Sequence, residues 1–142
     1  MIYALSNIKK ELTAGRNPIV KTRVYGNDAI NNYKLENSIW IKLSFGIFIK
    51  IPKGYVWDLA SVPRFLWWLF PPDNDAEIAF LIHDYLYENH KKLNITEDLA
   101  NKEMLKWSNV TNGTPGRSFR NFDNICRYLA VKWFGKYVWN KD

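Results

Sequence analysis

Apolar and polar positions alternate with a period of two through the first half of the chain, and the period lengthens to that of a helix in the second half. Val20-Lys21-Thr22-Arg23-Val24 sets its two basic side chains on one face and its two valines on the other, which predicts a half-buried strand. Ile39, Ile41 and Leu43 oppose Trp40 and Lys42, and Ile47, Ile49 and Ile51 oppose Phe48 and Lys50. Ser44-Phe45-Gly46 supplies the turn between these two runs. So short a connection makes the pair antiparallel, because a parallel pair needs a crossover of about a dozen residues or more. Upstream, Ser6 to Ala14 predicts a short helix ending near Gly15.

Pro52 and Gly54 close the second long strand. Ser61-Val62-Pro63 then reads as a helix start, with Ser61 as N-cap, and that helix runs through Leu69 until Pro71-Pro72 stops it. Asp73-Asn74-Asp75 opens a further helix in which Ile78, Ile82 and Leu86 form one stripe and Ala79, His83 and Tyr87 the neighbouring one, half turned from the core. Thr96 caps the next helix, with Ile95 packing back on Ala100 and with Glu97 and Asp98 favouring its positive start, to about Trp107. After the loop Asn112-Gly113-Thr114-Pro115-Gly116, a last helix carries Phe122, Ile125, Cys126, Leu129 and Trp133 as an apolar stripe until Gly135. Strands first and helices afterwards, with no internal repeat, predict an α+β fold: a small N-terminal antiparallel sheet packed against three to five mostly C-terminal helices.

Composition adds limits to this picture. A length of 142 residues at 47% hydrophobic suits a single domain, 1–142, with material for one core. Seven Trp, eight Tyr and eight Phe exceed what a small core hides, so an aromatic binding face stands as an equal alternative to an aromatic-rich core. The charge of +6 favours anionic partners, but the basic residues are scattered and form no Arg-rich helix or aromatic RNA-binding signature, which argues against specific nucleic-acid readout. Cys126 is the lone cysteine, which excludes an intrachain disulfide and a cysteine-based zinc site, and its place on the apolar stripe makes it a buried inert thiol. The first residues lack the pattern of a signal peptide, and Phe65-Leu66-Trp67-Trp68-Leu69-Phe70 is too short to span a bilayer, so synthesis and folding are expected in the cytosol.

The candidate chemistry lies in His83-Asp84-Tyr85-Leu86-Tyr87 and in Gly54-Tyr55-Val56-Trp57-Asp58-Leu59-Ala60-Ser61-Val62-Pro63-Arg64. Adjacent helical positions diverge by about 100°, so His83 and Asp84 aim at different points, whereas His83 and Tyr87 share a face. A neutral imidazole at His83 could act as general base, with Asp58 or Asp123 fixing its tautomer. Asp58, His83 and Asp84 could instead hold a divalent ion that activates water, the one cofactor this residue set suggests. Arg64 suits an anionic substrate group, and it could equally neutralise Asp58 or Asp84. Ser61 lacks the Gly-x-Ser-x-Gly setting of a nucleophile and is explained more simply as a cap. Against all of these stands a structural alternative, in which His83, Asp58 and Ser61 form a buried hydrogen-bond network that pins the turn to the helix.

In order and spacing, Gly54-Tyr55 through Asp58-Leu59-Ala60-Ser61-Val62-Pro63-Arg64, followed by His83-Asp84-x-Leu-Tyr87, resembles a phage and bacterial family known as domain of unknown function 1353. The likeness runs from about Ile39 to Trp139 and includes the Ala100-centred helix and Ala130-Val131-Lys132-Trp133-Phe134-Gly135. Trp57 stands where that pattern has a Thr, and Asn101 where it commonly has an Asp. If that Asp is a metal ligand in relatives, Asn101 keeps the oxygen and loses the charge, which weakens a hard-cation site here. The resemblance implies phage or prophage origin and leaves the reaction open. The His-Asp-x-x-Tyr string also looks like the catalytic helix of secreted phospholipase A2 enzymes, which would cast Asp123 as the residue that orients His83. The disulfides and glycine-rich calcium loop of those enzymes are missing from this sequence, so convergence would have to account for the likeness.

Two functions follow as expectations. One is a small hydrolase with His83, Asp58, Ser61 and Tyr87 as its catalytic cluster and Arg64 as its anion contact. The other is a non-enzymatic virion or tail-assembly component, or a factor that binds virion or host proteins through an aromatic, basic surface, with the motif serving the fold.

Overall fold

The computed structural model describes residues 1–23, 33–57, 77–111, 128–133 and 139. By backbone proximity the chain divides into two compact units, Met1–Asp58 and Leu59–Asp142. The first holds the described strands and the second most of the described helix, so the α+β class read from the sequence is the class observed.

In the first unit β1 (Ile2–Tyr3), β4 (Ile39–Lys42) and β5 (Phe48–Ile51) form one three-stranded sheet, in that order. Strands β4 and β5 are the expected antiparallel hairpin, registered Ile39 to Ile51 and Ile41 to Ile49. Its three-residue turn places Gly46 at φ 91°, a left-handed conformation that glycine adopts without a Cβ clash. The isoleucines are buried, and Trp40, Lys42, Phe48 and Lys50 are exposed, as the alternation requires. Strand β1 pairs parallel to β4, so this sheet is mixed where a purely antiparallel one was expected. The intervening chain is long enough for such a crossover: it contains α1 (Ile8–Thr13), β2 (Lys21–Arg23) and β3 (Tyr33–Leu35).

Strands β2, β3 and β6 (Val56–Trp57) form a second, antiparallel sheet, so there are two small sheets where the sequence suggested one. Trp57, the residue that departs from the resembled pattern, is buried and packs on Tyr33, directly opposite, with ring centroids 5.9 Å apart. Gly54 lies at φ 89° in the turn that feeds β6, and its amide bonds to the Leu35 carbonyl at 2.7 Å.

In the second unit α2 (Glu77–Glu88) packs on α4 (Glu97–Thr111), with the single turn α3 (His90–Leu93) between them. From Glu77 through Tyr87 every side chain of α2 is buried, a pattern suited to a central helix rather than a surface one. On α4 the buried positions Ala100, Asn101, Glu103, Met104, Trp107, Ser108 and Thr111 recur at three- and four-residue spacing and form one face. Thr96 caps α4 as expected, its Oγ1 accepting the Leu99 amide at 3.2 Å. The helix continues one turn past the expected Trp107.

Residues 128–133 are helical, but the buried positions are Ala130 and Val131, while Trp133 is exposed. The expected stripe through Leu129 and Trp133 is therefore displaced to Ala130 and Val131. The Ser61 cap and its helix, the Asp73 helix start, Trp67, Trp68 and the positions Phe122, Ile125 and Cys126 lie outside the described residues.

Candidate functional site

Helix α2 sets His83 and Tyr87 one turn apart, and their rings lie 4.2 Å apart between centroids. Both side chains point at one atom of α4. Asn101 Oδ1 lies 2.9 Å from His83 Nε2 and accepts the Tyr87 hydroxyl at 2.8 Å. An amide oxygen only accepts, so His83 carries its proton on Nε2 and its lone pair on Nδ1. Two lone pairs on one oxygen thus satisfy two buried donors, and Asn101 joins α2 to α4 near the first turn of the latter.

This cluster is closed. His83 is 2%, Asn101 2% and Tyr87 4% exposed, so the half-turned orientation expected for His83 gives way to full burial. Burial lowers the pKa of His83 to about 4, against a smaller upward pull from the Asn101 hydrogen bond, and the imidazole is neutral at pH 7. The Tyr87 phenol is pushed above its ordinary range, first by burial and then by the charges of Glu97 and Asp84, with the Asn101 bond opposing. Glu97 Oε1, on the first residue of α4, also lies 3.4 Å from the Tyr87 hydroxyl.

Two further groups extend the cluster toward the end of α2. The His90 Nδ1–H donates to the Tyr87 carbonyl at 2.7 Å, satisfying one of the acceptors that a helix C-terminus leaves open. Trp139 stacks on the His90 ring at 3.8 Å and meets Tyr87 edge-on at 5.1 Å. His90 is the first residue of α3 and is buried.

Among the sequence-derived site residues, the structure brings together His83 and Tyr87. Asp84 is also buried on α2, on the next position around the helix, and its charge helps to raise the Tyr87 pKa. Asp58, Ser61 and Arg64 lie outside the described residues, as does Asp123. The described partner of His83 is therefore Asn101. The tentative ligand set of Asp58, His83 and Asp84 includes an undescribed member, and among the described residues no group of three His, Cys, Asp or Glu is placed to hold a metal ion. Asn101 stood out in the sequence as a departure from a pattern, but nothing in periodicity marked it as the shared acceptor. His90 and Trp139 carried no signal beyond their rarity, since stacking between residues so far apart in sequence is a tertiary fact.

The fold and site define an α+β protein with a buried His-Asn-Tyr junction between two helices. The chain matches the model of the family described as Protein of unknown function (DUF1353) over residues 33–120, and it belongs to that family. No curated protein and no solved structure matches it. The match spans both segments that carried the resemblance, as well as β3 to α4.

Proposed function

We propose that this chain is a non-enzymatic component of phage or prophage origin, acting in a virion or on a host protein through its aromatic and basic surface, with the His-Asp-x-x-Tyr string serving the fold. The observation that carries this reading is the closure of the His83, Asn101 and Tyr87 cluster. A general base must reach the proton it abstracts, and its pKa works best near the operating pH. His83 is buried, and its pKa lies near 4. A polar junction with these properties fixes how two helices meet.

His83→Ala tests it. Loss of the ring opens a cavity and removes one of the two donors to Asn101, and the expected cost is about 2–4 kcal/mol of unfolding free energy by denaturant titration. A variant as stable as the parent, yet stripped of a measurable hydrolysis of wall polymer, phosphoester or lipid, would overturn the reading.

One observation favours the hydrolase alternative. Among the described residues His83 Nδ1 has no hydrogen-bond partner, so a lone pair remains for a proton or a cation. In that reading His83 is the base, Asp58 or Asp84 the orienting residue or divalent-ion ligand, Ser61 and Tyr87 the neighbouring catalytic groups, and Arg64 the anion contact. Stoichiometric metal after mild purification, lost together with activity in His83→Ala, would establish it in place of the structural role.

A further inference from the structure

The outward face of the β1-β4-β5 sheet has an order that its buried face lacks. Trp40 is 47% and Phe48 56% exposed, and Ile2, opposite Trp40 on the next strand, is 47% exposed. Trp40 pairs with Lys50 and Lys42 with Phe48, so rings and ammonium groups alternate along both strands and across them. Each lysine leans over the ring opposite, Lys50 Nζ at 5.4 Å from the Trp40 centroid and Lys42 Nζ at 5.7 Å from that of Phe48. The three strands contain no acidic residue, and neither lysine forms an ion pair among the described residues.

Two features decide what such a face fits. At strand spacings the patch measures about 10 Å by 13 Å, well short of the roughly 800 Å² per partner that a stable protein interface buries. It suits a narrow, extended ligand instead. The interleaving then selects the chemistry: a bilayer-inserting face gathers its apolar groups inside a basic rim, whereas here each ring neighbours a charge at the same level. Flat apolar groups alternating with anions at short intervals are the chemistry of a single nucleic-acid strand, whose bases stack on aromatic rings and whose phosphates meet lysines.

We infer that the outward face of the β1-β4-β5 sheet binds single-stranded nucleic acid without regard to sequence, bases stacking on Trp40 and Phe48 and phosphates meeting Lys42 and Lys50. On binding, each lysine exchanges its ring for a phosphate and frees that ring for a base. Sequence independence agrees with the absence of any Arg-rich reading element. The inference goes beyond the function proposed above and stands without it, because every residue involved lies in the Met1–Asp58 unit.

The test uses the full chain and a labelled oligothymidylate of about 12 nucleotides, within the usual site-size range, followed by fluorescence anisotropy at low salt. Trp40→Ala and Phe48→Ala, at exposed positions that leave the fold intact by circular dichroism, are each expected to weaken binding about ten-fold or more. Lys42→Ser and Lys50→Ser are each expected to flatten the dependence of log affinity on log salt by about 0.7. Absence of binding at low salt overturns the inference, as does binding indifferent to both ring substitutions. A duplex of equal length bound as tightly as the single strand overturns it too. So does Trp40-dependent binding to phosphatidylserine vesicles with none to the oligonucleotide, which would make the face a membrane contact.

Discussion

At the scale of single residues, Asn101 decides the character of the cluster. A neutral acceptor there lets a neutral imidazole and a neutral phenol share one oxygen without placing a charge in the core. Asn101→Ala removes that oxygen and strands two buried donors, at about 1–3 kcal/mol each, and chemical denaturation should show a loss of about 2–6 kcal/mol. Asn101→Asp, the residue of the resembled pattern, preserves the acceptor and adds a charge. An adjacent carboxylate favours imidazolium, so the His83 pKa should climb from about 4, and its ring-proton titration by NMR reads the change directly. If His83 in that variant still titrated near 4, Asn101 would not be its electrostatic neighbour in solution. The sequence showed His83 and Tyr87 on a common face, because helical spacing is local. It did not show what faced them, because Asn101 is 18 residues from His83 and only packing brings the two within 2.9 Å.

At the scale of elements, legibility followed length and period. The β4-β5 hairpin was readable because both runs alternate for several residues around a glycine turn. Strands β1, β3 and β6 have only two or three residues each, too few to establish a period of two, and their pairing depends on partners far along the chain. The single turn α3 escaped for the same reason. The start of α4 was readable to the residue, since a capping threonine ahead of Glu97 and Asp98 is a local signal with a local cause. Thr96→Ala should cost about 1 kcal/mol in unfolding free energy, and Thr96→Ser should retain most of it. Equal losses in both variants would show that the threonine methyl, and not the Oγ1 bond to the Leu99 amide, carries the contribution. Because Glu97 and Asn101 occupy the first turns of this helix, a frayed start would also loosen the Tyr87 hydroxyl from both of its acceptors.

At the scale of the whole molecule, the buried histidine ties folding to pH. Among the described residues no helix is long and apolar enough to cross a membrane. In the folded chain burial holds the pKa of His83 at about 4, whereas in the unfolded chain it returns to 6.5. Between these values the unfolded state binds the proton and the folded state does not, so lowering the pH favours unfolding. The contribution of His83 is complete above pH 6.5, declines as the pH falls through that window, and is lost by about pH 4. The gap corresponds to about 3 kcal/mol on the linkage scale. Carboxylates titrate over the acid part of the same window, so the measurement is a difference between two proteins. His83→Gln removes the titration while keeping a side-chain N–H that can reach Asn101 Oδ1. Urea titrations of parent and variant from pH 7 to pH 4 should diverge in slope, the parent losing about 3 kcal/mol more than the variant. Parallel curves would mean that the histidine takes up its proton without unfolding, as an imidazole in contact with water does, and would reopen the site as a solvent-accessible base.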